Sequence, residues 1–226
     1  AKDILKAHAV YWPTMLLALG VPVFHEIQAS GYWLMGGSKM SKTLGNVVRP
    51  LEVAEKYGPE LLRFYLLREM VYGMDATFTL EAFIQSVNAY LANGIGNLAS
   101  RVLTLVQKNF NGRFDMGQLT ATDRALLSAR GEALKSWDQG FSELKYQNAL
   151  KAWSDLVARC DVYVNENKPW ALAKDPASAE RLGVVLGVCL NTLQALAAII
   201  YPVLPHASID LCATLGLGTY SMNPDQ

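Results

Sequence analysis

Two lysines in a glycine-flanked stretch of the chain could bind a polyphosphate. Residues 36–46 read Gly-Gly-Ser-Lys-Met-Ser-Lys-Thr-Leu-Gly-Asn, so Lys39 and Lys42 lie among small and hydroxylated neighbours. No acidic residue occurs between Glu26 and Glu52, and the two ammonium groups therefore have no counter-charge nearby in the sequence. Two such charges can hold a polyphosphate whose negative charge grows as a bond breaks. Composition alone fits a solvated surface turn equally well.

The same stretch is one residue away from a P-loop. It has Ser41 where the second glycine of the Gly-x-x-x-x-Gly-Lys-Ser/Thr pattern belongs. A P-loop also requires a helix that starts at once, so that its free N–H groups and its dipole contact phosphate. Here Gly45 and Pro50 delay a helix until about Leu51. A P-loop ATPase is therefore a weak alternative, which would hydrolyse nucleotide by itself and lose that activity in Lys42→Ala.

A different signature fits this stretch better. Residues 39–43, Lys-Met-Ser-Lys-Thr, resemble the KMSKS signature of class I aminoacyl-tRNA synthetases, with a hydroxyl-bearing Thr43 in place of the final Ser. Further stretches resemble the methionyl-tRNA synthetase family in order and spacing: Lys-Asp-Ile at 2–4, His8 with Tyr-Trp-Pro at 11–13, Leu-Gly-Asn at 44–46, and Asn-Lys-Pro-Trp at 167–170. The resemblance covers essentially the whole chain, and Ala1 stands where the family commonly has Gly.

The resemblance implies chemistry on ATP. Lys39 and Lys42 would be catalytic, holding the phosphates while methionine attacks the α-phosphorus, with stabilisation greatest as pyrophosphate leaves. A loop that closes over ATP and reopens suits this role. The implied ATP-binding residues are Asp3, Lys39, Met40, Ser41, Lys42 and Thr43. Asp3 would contact the ribose, although by itself it is a helix N-cap. The implied cofactor is ATP with Mg²⁺ in the complete enzyme, and no metal site is expected in this chain.

Three residues near the N-terminus could line a small apolar pocket. Ile4, His8 and Trp12 are spaced at i, i+4 and i+8, which places them along one face of a helix. Such a face is ordinarily part of a protein core, and a single His on it ordinarily has a structural hydrogen bond. By resemblance, the three residues instead bind the methionine side chain.

Four residues of the predicted helical bundle could recognise an unpaired base. Asn97 and Arg101 lie one helical turn apart after Gly-Ile-Gly, and an amide with a guanidinium fork can contact a base's Watson–Crick edge. Trp170 follows a turn that contains Pro169, and an exposed indole can stack a base. Taken alone, the first two could be an exposed polar pair and Trp170 a packed staple. The resemblance assigns Asn97, Arg101, Pro169 and Trp170 to the methionine anticodon.

Composition excludes several classes of protein. The 226 residues are 51% hydrophobic, and 20 basic residues balance 20 acidic ones, so any binding of nucleic acid must be local. Cys160, Cys189 and Cys212 are far apart, which indicates neither a zinc site nor a disulfide framework and fits a cytoplasmic protein. The apolar run 184–204 contains polar residues and a proline, and we interpret it as a buried helix. Neither a membrane nor DNA is an expected partner.

The elements that must position these residues follow from periodicity and breakers. We predict helices over 3–19 with a kink at Pro13, 51–57, 59–70, 79–111 (one helix or a helix pair), 120–140, 142–167, 176–200 and 205–215, and extended segments at 23–30, 32–35 and 76–78. Gly20 is the expected stop of the first helix, and Thr120 with Asp123 resembles a capping box. Trp137, Phe141, Tyr146 and Trp153 are expected in the core, whereas His25 and His206 have no evident partner.

The fold expected is mainly α. Residues 1–29 would end a Rossmann-type catalytic domain, 30–95 would form a small α/β stem-contact domain with the KMSKS-like loop, and 96–226 an up-and-down helical anticodon-binding bundle. The function implied is that of a methionine–tRNA ligase, of which this chain is an incomplete and by itself inactive part. Methionine tRNA would be its partner. The alternative is a free-standing tRNA- or RNA-binding helical module without catalysis.

Overall fold

The computed structural model describes residues 2–35, 38–39, 48–112 and 117–217, with the side chains of 38 and 39 left out. The α-helices are α1 (Trp12–Ala18), α2 (Pro50–Tyr57), α3 (Pro59–Glu69), α4 (Leu80–Val87), α5 (Asn97–Phe110), α6 (Ala121–Ser142), α7 (Tyr146–Asn167), α8 (Pro169–Leu172), α9 (Ala179–Ile199) and α10 (Pro205–Thr214). Three short strands are β1 (Trp33–Met35), β2 (Ser38–Lys39) and β3 (Ala76–Thr77) within this described part. A mainly helical fold with a small sheet is confirmed.

The N-terminal helix differs from the single helix predicted over 3–19. A 3₁₀ turn at Lys2–Ile4 and a π-helical turn at Ala7–Tyr11 precede α1. The π-turn ends just before Pro13, which has no N–H to donate to the carbonyl one α-helical turn earlier. The stop at Gly20 is confirmed: its φ of +67° is left-handed, and Val21 N–H donates to Leu16 O at 2.9 Å.

A small α/β unit follows, and its sheet has the order β2-β1-β3. β1 pairs antiparallel with β2 and parallel with β3, so the predicted strand at 76–78 is confirmed, whereas 23–30 forms no strand. The chain passes β3 so closely at Gly31 that a Cβ there would lie 1.9 Å from Met74 O. Helices α2, α3 and α4 close a small core built on Leu62, Tyr65, Phe78 and Phe83.

The segment 79–111, predicted as one helix or a helix pair, contains two α-helices. Thr79 caps α4 by accepting a hydrogen bond from Ala82 N–H at 3.0 Å, but a π-helical segment, Asn88–Gly96, separates α4 from α5. Within it Gly94 has a non-helical ψ of −105°, which an apolar repeat at three- and four-residue spacing does not reveal. Asn111 ends α5 in the left-handed conformation, with a φ of 49°.

The C-terminal half is the predicted helical bundle. Its core contains Trp153, whose indole N–H donates to Leu196 O at 3.0 Å, and the neighbouring Trp137 stacks on Phe141 with ring centroids 4.7 Å apart. Of the four aromatic residues expected in the core, Trp137 and Trp153 are buried, and Phe141 and Tyr146 are partly buried. The predicted capping box at Thr120 is confirmed.

Two helix boundaries in the bundle were predicted wrongly. Gly140 does not end α6, which continues to Ser142, because this glycine instead allows α6 to approach α7: a Cβ on it would lie 2.8 Å from the Cβ of Ala149. Helix α7 begins at Tyr146 rather than at 142, because Leu144 turns the chain with a φ of 56°.

Helix α9 is the core helix of the bundle. The stretch Pro176–Ile199 is long and apolar enough to cross a membrane, but 67% of its most apolar window is buried inside the protein. Its buried side chains include Val185, Val188 and Leu193, all at 0% exposure. This burial confirms a buried helix, which ends at Ile199, within one residue of the predicted end at 200.

Helix α3 joins the small core to the bundle. Leu62 and Tyr65 belong to the small core, whereas Phe64 lies in the bundle core and meets Trp153 edge to face. Two further contacts link α3 to the last turns of the chain. Arg63 Nη1 donates to Val203 O at 3.1 Å, and the Glu60 carboxylate accepts from the backbone N–H of His206 at 2.8 Å and contacts its ring, so His206 does have a partner.

Candidate functional site

Part of the lysine stretch lies in the edge strand of the small sheet. β2 ends at Lys39, whose Cα pairs with that of Leu34, and α2 begins at Pro50. Met40, Ser41, Lys42 and Thr43 lie outside the described residues, as does the side chain of Lys39. Their assignment to ATP therefore stays a prediction.

The three residues predicted to bind methionine line one pocket. Ile4, His8 and Trp12 form one wall, and the irregular segment from Phe24 to Ala29 forms the other, around a volume of about 430 Å³. Ile4 is 53% and Trp12 50% exposed, so both side chains are accessible and not core. A pocket of this volume lies within the range of small-molecule sites.

His8 contributes a defined polar atom to this pocket. Its Nδ1 lies 2.9 Å from the carbonyl oxygen of Ile4, and a carbonyl can only accept, so Nδ1 carries the proton in the neutral ring. Nε2 then remains as a hydrogen-bond acceptor. The pocket thus combines apolar side chains with the His8 imidazole and two further polar side chains, Glu26 and Gln28.

A short set of contacts holds the pocket against the small sheet. The backbone N–H of Lys2 donates to Ser30 O at 3.1 Å, and its ammonium group contacts Asp75 at 2.7 Å. The hydrogen bond from Lys2, with one from the backbone N–H of Tyr32, lowers the pKa of Asp75. Asp3 lies in the 3₁₀ turn next to Ile4 rather than at the N-cap of a regular α-helix.

Two of the residues predicted to contact RNA meet in the bundle. Arg101 on α5 and Trp170 on α8 are far apart in sequence, yet the guanidinium carbon lies 5.5 Å from the indole centroid. Trp170 is 41% exposed, so it is not a buried staple. Asn97 is exposed and lies one helical turn before Arg101. Pro169 is buried at the start of α8, next to Trp170.

Sequence reasoning missed the partners of Arg101. Its Nη1 donates to Asp161 at 2.7 Å and its Nη2 to Asn165 at 2.9 Å, while the Asn165 amide donates to Asp161 at 2.9 Å. Each terminal nitrogen of Arg101 therefore has one N–H engaged within the bundle, which leaves fewer donors for a contact with a base. The four-residue spacing of Asp161 and Asn165 on α7 was a usable signal for a polar face.

The orientation of Trp170 follows from how α7 ends. Lys168 is left-handed, with φ 45° and ψ 57°, and its carbonyl accepts from Ala171 N–H at 2.8 Å. Pro169 begins α8 at the first helical position, where its missing N–H costs nothing. The sharp turn confirms the predicted presentation of the indole to solvent.

A buried polar cluster, consisting of Asp123, Tyr163, Arg181 and Asn167, lies under this turn. Asp123 is fully buried and accepts from both terminal nitrogens of Arg181, at 2.6 and 2.9 Å, and from the Tyr163 hydroxyl. Arg181 Nη2 also donates to Asn167 Oδ1 at 2.6 Å, and Asn167 Nδ2 donates to Tyr163 O at 2.9 Å. The sequence indicated Asp123 only as a capping residue.

The electrostatics of the cluster favour its charged form. Burial by itself raises the pKa of Asp123, but hydrogen bonds from Arg181 and Tyr163 outweigh it and hold that pKa far below the ordinary value. Burial, together with the bond to Asp123, raises the pKa of Tyr163, and the bond to Asp123 raises that of Arg181. The carboxylate and guanidinium therefore stay ionised, and Tyr163 stays neutral, near neutral pH.

A metal centre is not evident in the part of the chain that the structure describes. No group of three or more His, Cys, Asp or Glu side chains there could hold an ion. The three cysteines are buried and free.

Two family models match the chain. The first, described as tRNA synthetases class I (M), matches residues 1–103, and the second, the anticodon-binding domain of tRNA ligase, matches residues 123–222. The pocket and the lysine stretch fall within the first match, and Trp170 with the buried cluster falls within the second.

Relatives and solved structures agree with both matches. The methionine–tRNA ligase of Oceanobacillus iheyensis is 38% identical over 96% of this chain and 32% of its own length, and that of Bacillus subtilis is 37% identical over 98% and 34%. The Mycobacterium tuberculosis methionyl-tRNA synthetase in complex with methionyl-adenylate superposes with a TM-score of 0.89 at 34% identity, over 93% of this chain and 42% of that one. The chain thus spans about a third of the length of the curated relatives it matches.

Proposed function

The chain belongs to the methionyl-tRNA synthetase family, and from this premise we propose that it supplies the lysine loop and the anticodon-binding surface of a methionine–tRNA ligase. The complete enzyme activates methionine with ATP and esterifies it to its tRNA. In this proposal residues 1–29 end the catalytic domain, 30–95 form the stem-contact domain and 96–226 bind the anticodon. The enzyme works in the cytoplasm.

The observation that carries the proposal is the pairing of Trp170 with Arg101. A half-exposed indole with a cation beside it offers an unpaired base a flat stacking surface, and each stacked base contributes about 1–3 kcal/mol. Asn97 is exposed on the same helix as Arg101, and its amide makes no side-chain hydrogen bond within the described residues, so it is available to a base edge. Pro169 restricts the backbone conformation of the turn that leads into Trp170.

The geometry changes one role within this set. Since Asp161 and Asn165 each engage one N–H on a terminal nitrogen of Arg101, we assign Arg101 mainly to supporting Trp170, with its remaining N–H groups as secondary contacts to a base. Base discrimination then falls mainly to Asn97.

The N-terminal pocket supports the catalytic half of the proposal. Its apolar side chains fit the methionine side chain, with Ile4 and Trp12 contacting the methylene and thioether groups and the His8 ring lying beside them. Lys39 and Lys42 hold the ATP phosphates with Met40, Ser41 and Thr43, and Asp3 contacts the ribose. Bound ATP supplies the activated phosphorus and carries Mg²⁺ on its phosphates.

Replacing the indole tests the RNA-binding proposal. Trp170→Ala is expected to weaken binding of a hairpin with the methionine anticodon about 5- to 100-fold, because the stacking surface is lost. Trp170→Phe, which keeps an aromatic face, should lose much less. Fluorescence anisotropy of a labelled hairpin measures both.

The control is a hairpin of the same stem with an unrelated anticodon. Its weak binding should be nearly unchanged in Trp170→Ala, because phosphate contacts do not depend on the indole. Equal losses for the two hairpins would contradict base stacking at Trp170.

A further inference from the structure

The cluster of Asp123, Tyr163, Arg181 and Asn167 joins three helix ends beneath the Trp170 turn. Asp123 lies in the first turn of α6 and accepts from Thr120 N–H at 2.7 Å, Arg181 lies near the start of α9, and Asn167 is the last residue of α7. Buried ionised groups are costly unless every partner is present. The three helix ends are therefore held in place relative to one another at this junction.

The segment between Asn167 and Arg181 carries Trp170. The hydrogen bond between these two side chains spans 14 residues and so closes the segment at both ends. Inside it, α8 is a single turn, and Asp175 caps the next turn by accepting from Ala177 N–H at 3.1 Å and from the Ser178 hydroxyl at 2.8 Å. A helix of one turn has few bonds of its own, so its orientation depends on how its ends are held.

We propose that Arg181, anchored by Asp123, positions the Trp170 indole for base stacking through its hydrogen bond to Asn167, an inference that rests on the function proposed above. Arg181 and Asn167 are positioning residues and do not contact RNA. Two hydrogen bonds to the Asp123 carboxylate fix the position of the Arg181 guanidinium. Its third hydrogen bond, to Asn167, therefore restrains the last residue of α7, immediately before the turn that carries Trp170.

The chain offers a matched control for Asn167. Asn109 also donates its side-chain amide to the carbonyl four residues earlier, Leu105 O at 2.8 Å, near the end of α5, as Asn167 does to Tyr163 O. Both side chains are partly buried. Asn109→Ala therefore removes the same local hydrogen bond without touching Arg181.

The position of Trp170 can be followed with 5-fluorotryptophan and fluorine NMR. The chain has five tryptophans, and Trp170→Phe identifies the signal of Trp170 by its loss. Asn167→Ala is expected to shift or broaden that signal and leave the other four in place. Asn109→Ala should leave all five unchanged, while both variants lower the thermal midpoint by similar amounts.

Hairpin binding gives the functional readout. Asn167→Ala should weaken binding of the methionine-anticodon hairpin about two- to tenfold, because an indole that is no longer held must be ordered on binding, whereas Asn109→Ala should bind as the parent chain does. An unchanged Trp170 signal in Asn167→Ala, or equal changes in both variants, would overturn the proposal. If Trp170→Ala itself binds normally, the proposed function fails, but the fluorine signal still decides whether Asn167 positions the ring.

Discussion

Arg101 shows how one side chain can serve packing and recognition at once. Its side chain is 31% exposed, and its guanidinium lies between the Trp170 ring and the polar face of Asp161 and Asn165. A planar fork can make both hydrogen bonds and still present a face to the indole, which a lysine cannot do. Arg101 therefore contributes to the packing of the proposed RNA-binding surface as well as to its hydrogen bonding.

Asp123 is the residue on which the buried cluster depends. Its pKa is lowered in the folded protein, so it contributes stability that is fully present above the unfolded value near pH 4 and is lost as the pH falls further. Asp123→Asn should lower the free energy of unfolding at pH 7 by about 3 kcal/mol, because Arg181 loses its counter-charge. Urea titrations between pH 7 and pH 3 measure both effects.

The control for this charge is Asp155 on α7. It pairs with Lys151 one turn earlier, and its side chain is 55% exposed. Asp155→Asn should change the free energy of unfolding by less than about 1 kcal/mol, as exposed pairs do. The parent and Asp155→Asn should lose stability steeply below pH 4, and Asp123→Asn less so. Parallel pH profiles for all three would contradict the role given to Asp123.

At the scale of elements, the contact between α6 and α7 depends on a glycine. A Cβ at Gly140 would lie 2.8 Å from Ala149 Cβ and 2.9 Å from its backbone nitrogen, and neither helix can move without disturbing the core. Gly140→Ala is therefore expected to destabilise the bundle by about 1–3 kcal/mol, even though alanine favours a helix. Chemical denaturation measures the difference.

Gly131 in the same helix gives the opposite expectation. A Cβ there meets nothing within 4 Å, so Gly131→Ala should stabilise the protein by about 0.5–1 kcal/mol through helix propensity alone. Changes of the same sign in both variants would show that Gly140 is not a packing contact.

At the scale of the whole molecule, α3 ties the two cores together. Phe64 enters the bundle while Leu62 and Tyr65 enter the small core, and Glu60 and Arg63 hold the chain around residues 203–207. Lys39 ends strand β2 of the small sheet, and Trp170 lies in the bundle. The nucleotide-binding and RNA-binding parts of the proposal thus share one connected scaffold.

This division predicts which activity the chain keeps by itself. The 226-residue chain should bind the methionine-anticodon hairpin but show no ATP–pyrophosphate exchange, because it spans about a third of its relatives' length. In the complete enzyme, Lys42→Ala should lower the exchange rate about 100-fold, since a cation on the departing charge is lost. Radiolabelled exchange assays measure both.

Lys108, in the last turn of α5, is the control for that substitution. Lys108→Ala in the complete enzyme should exchange at the parental rate. Exchange catalysed by the isolated chain, or equal rates for the Lys42 and Lys108 variants, would contradict the catalytic role. If the chain binds the hairpin but the complete protein shows no pyrophosphate exchange, the results favour the alternative of an RNA-binding module without catalysis.

Much of this protein could be predicted from its sequence because the signals are local. The stop at Gly20, the capping box of Thr120 and Asp123, the helix start at Pro59 and the turn before Trp170 each depend on residues within a few positions of one another. The bundle followed from apolar spacing, whereas the pocket of Ile4, His8 and Trp12 followed from the family resemblance, because an apolar helix face by itself predicts a core.

Only the tertiary structure decided which distant residues meet. The partners of Arg101 lie 60 and 64 positions away, and Arg181 reaches Asp123 across 58, so no local pattern predicts them. The same holds for Gly140, which looked like a helix stop because glycine favours helix ends, but which the packing of α7 requires inside the helix. Sequence fixes local conformation through sterics and hydrogen bonds between neighbours, whereas the burial of charge and the fit of two helices depend on surroundings that exist only after folding.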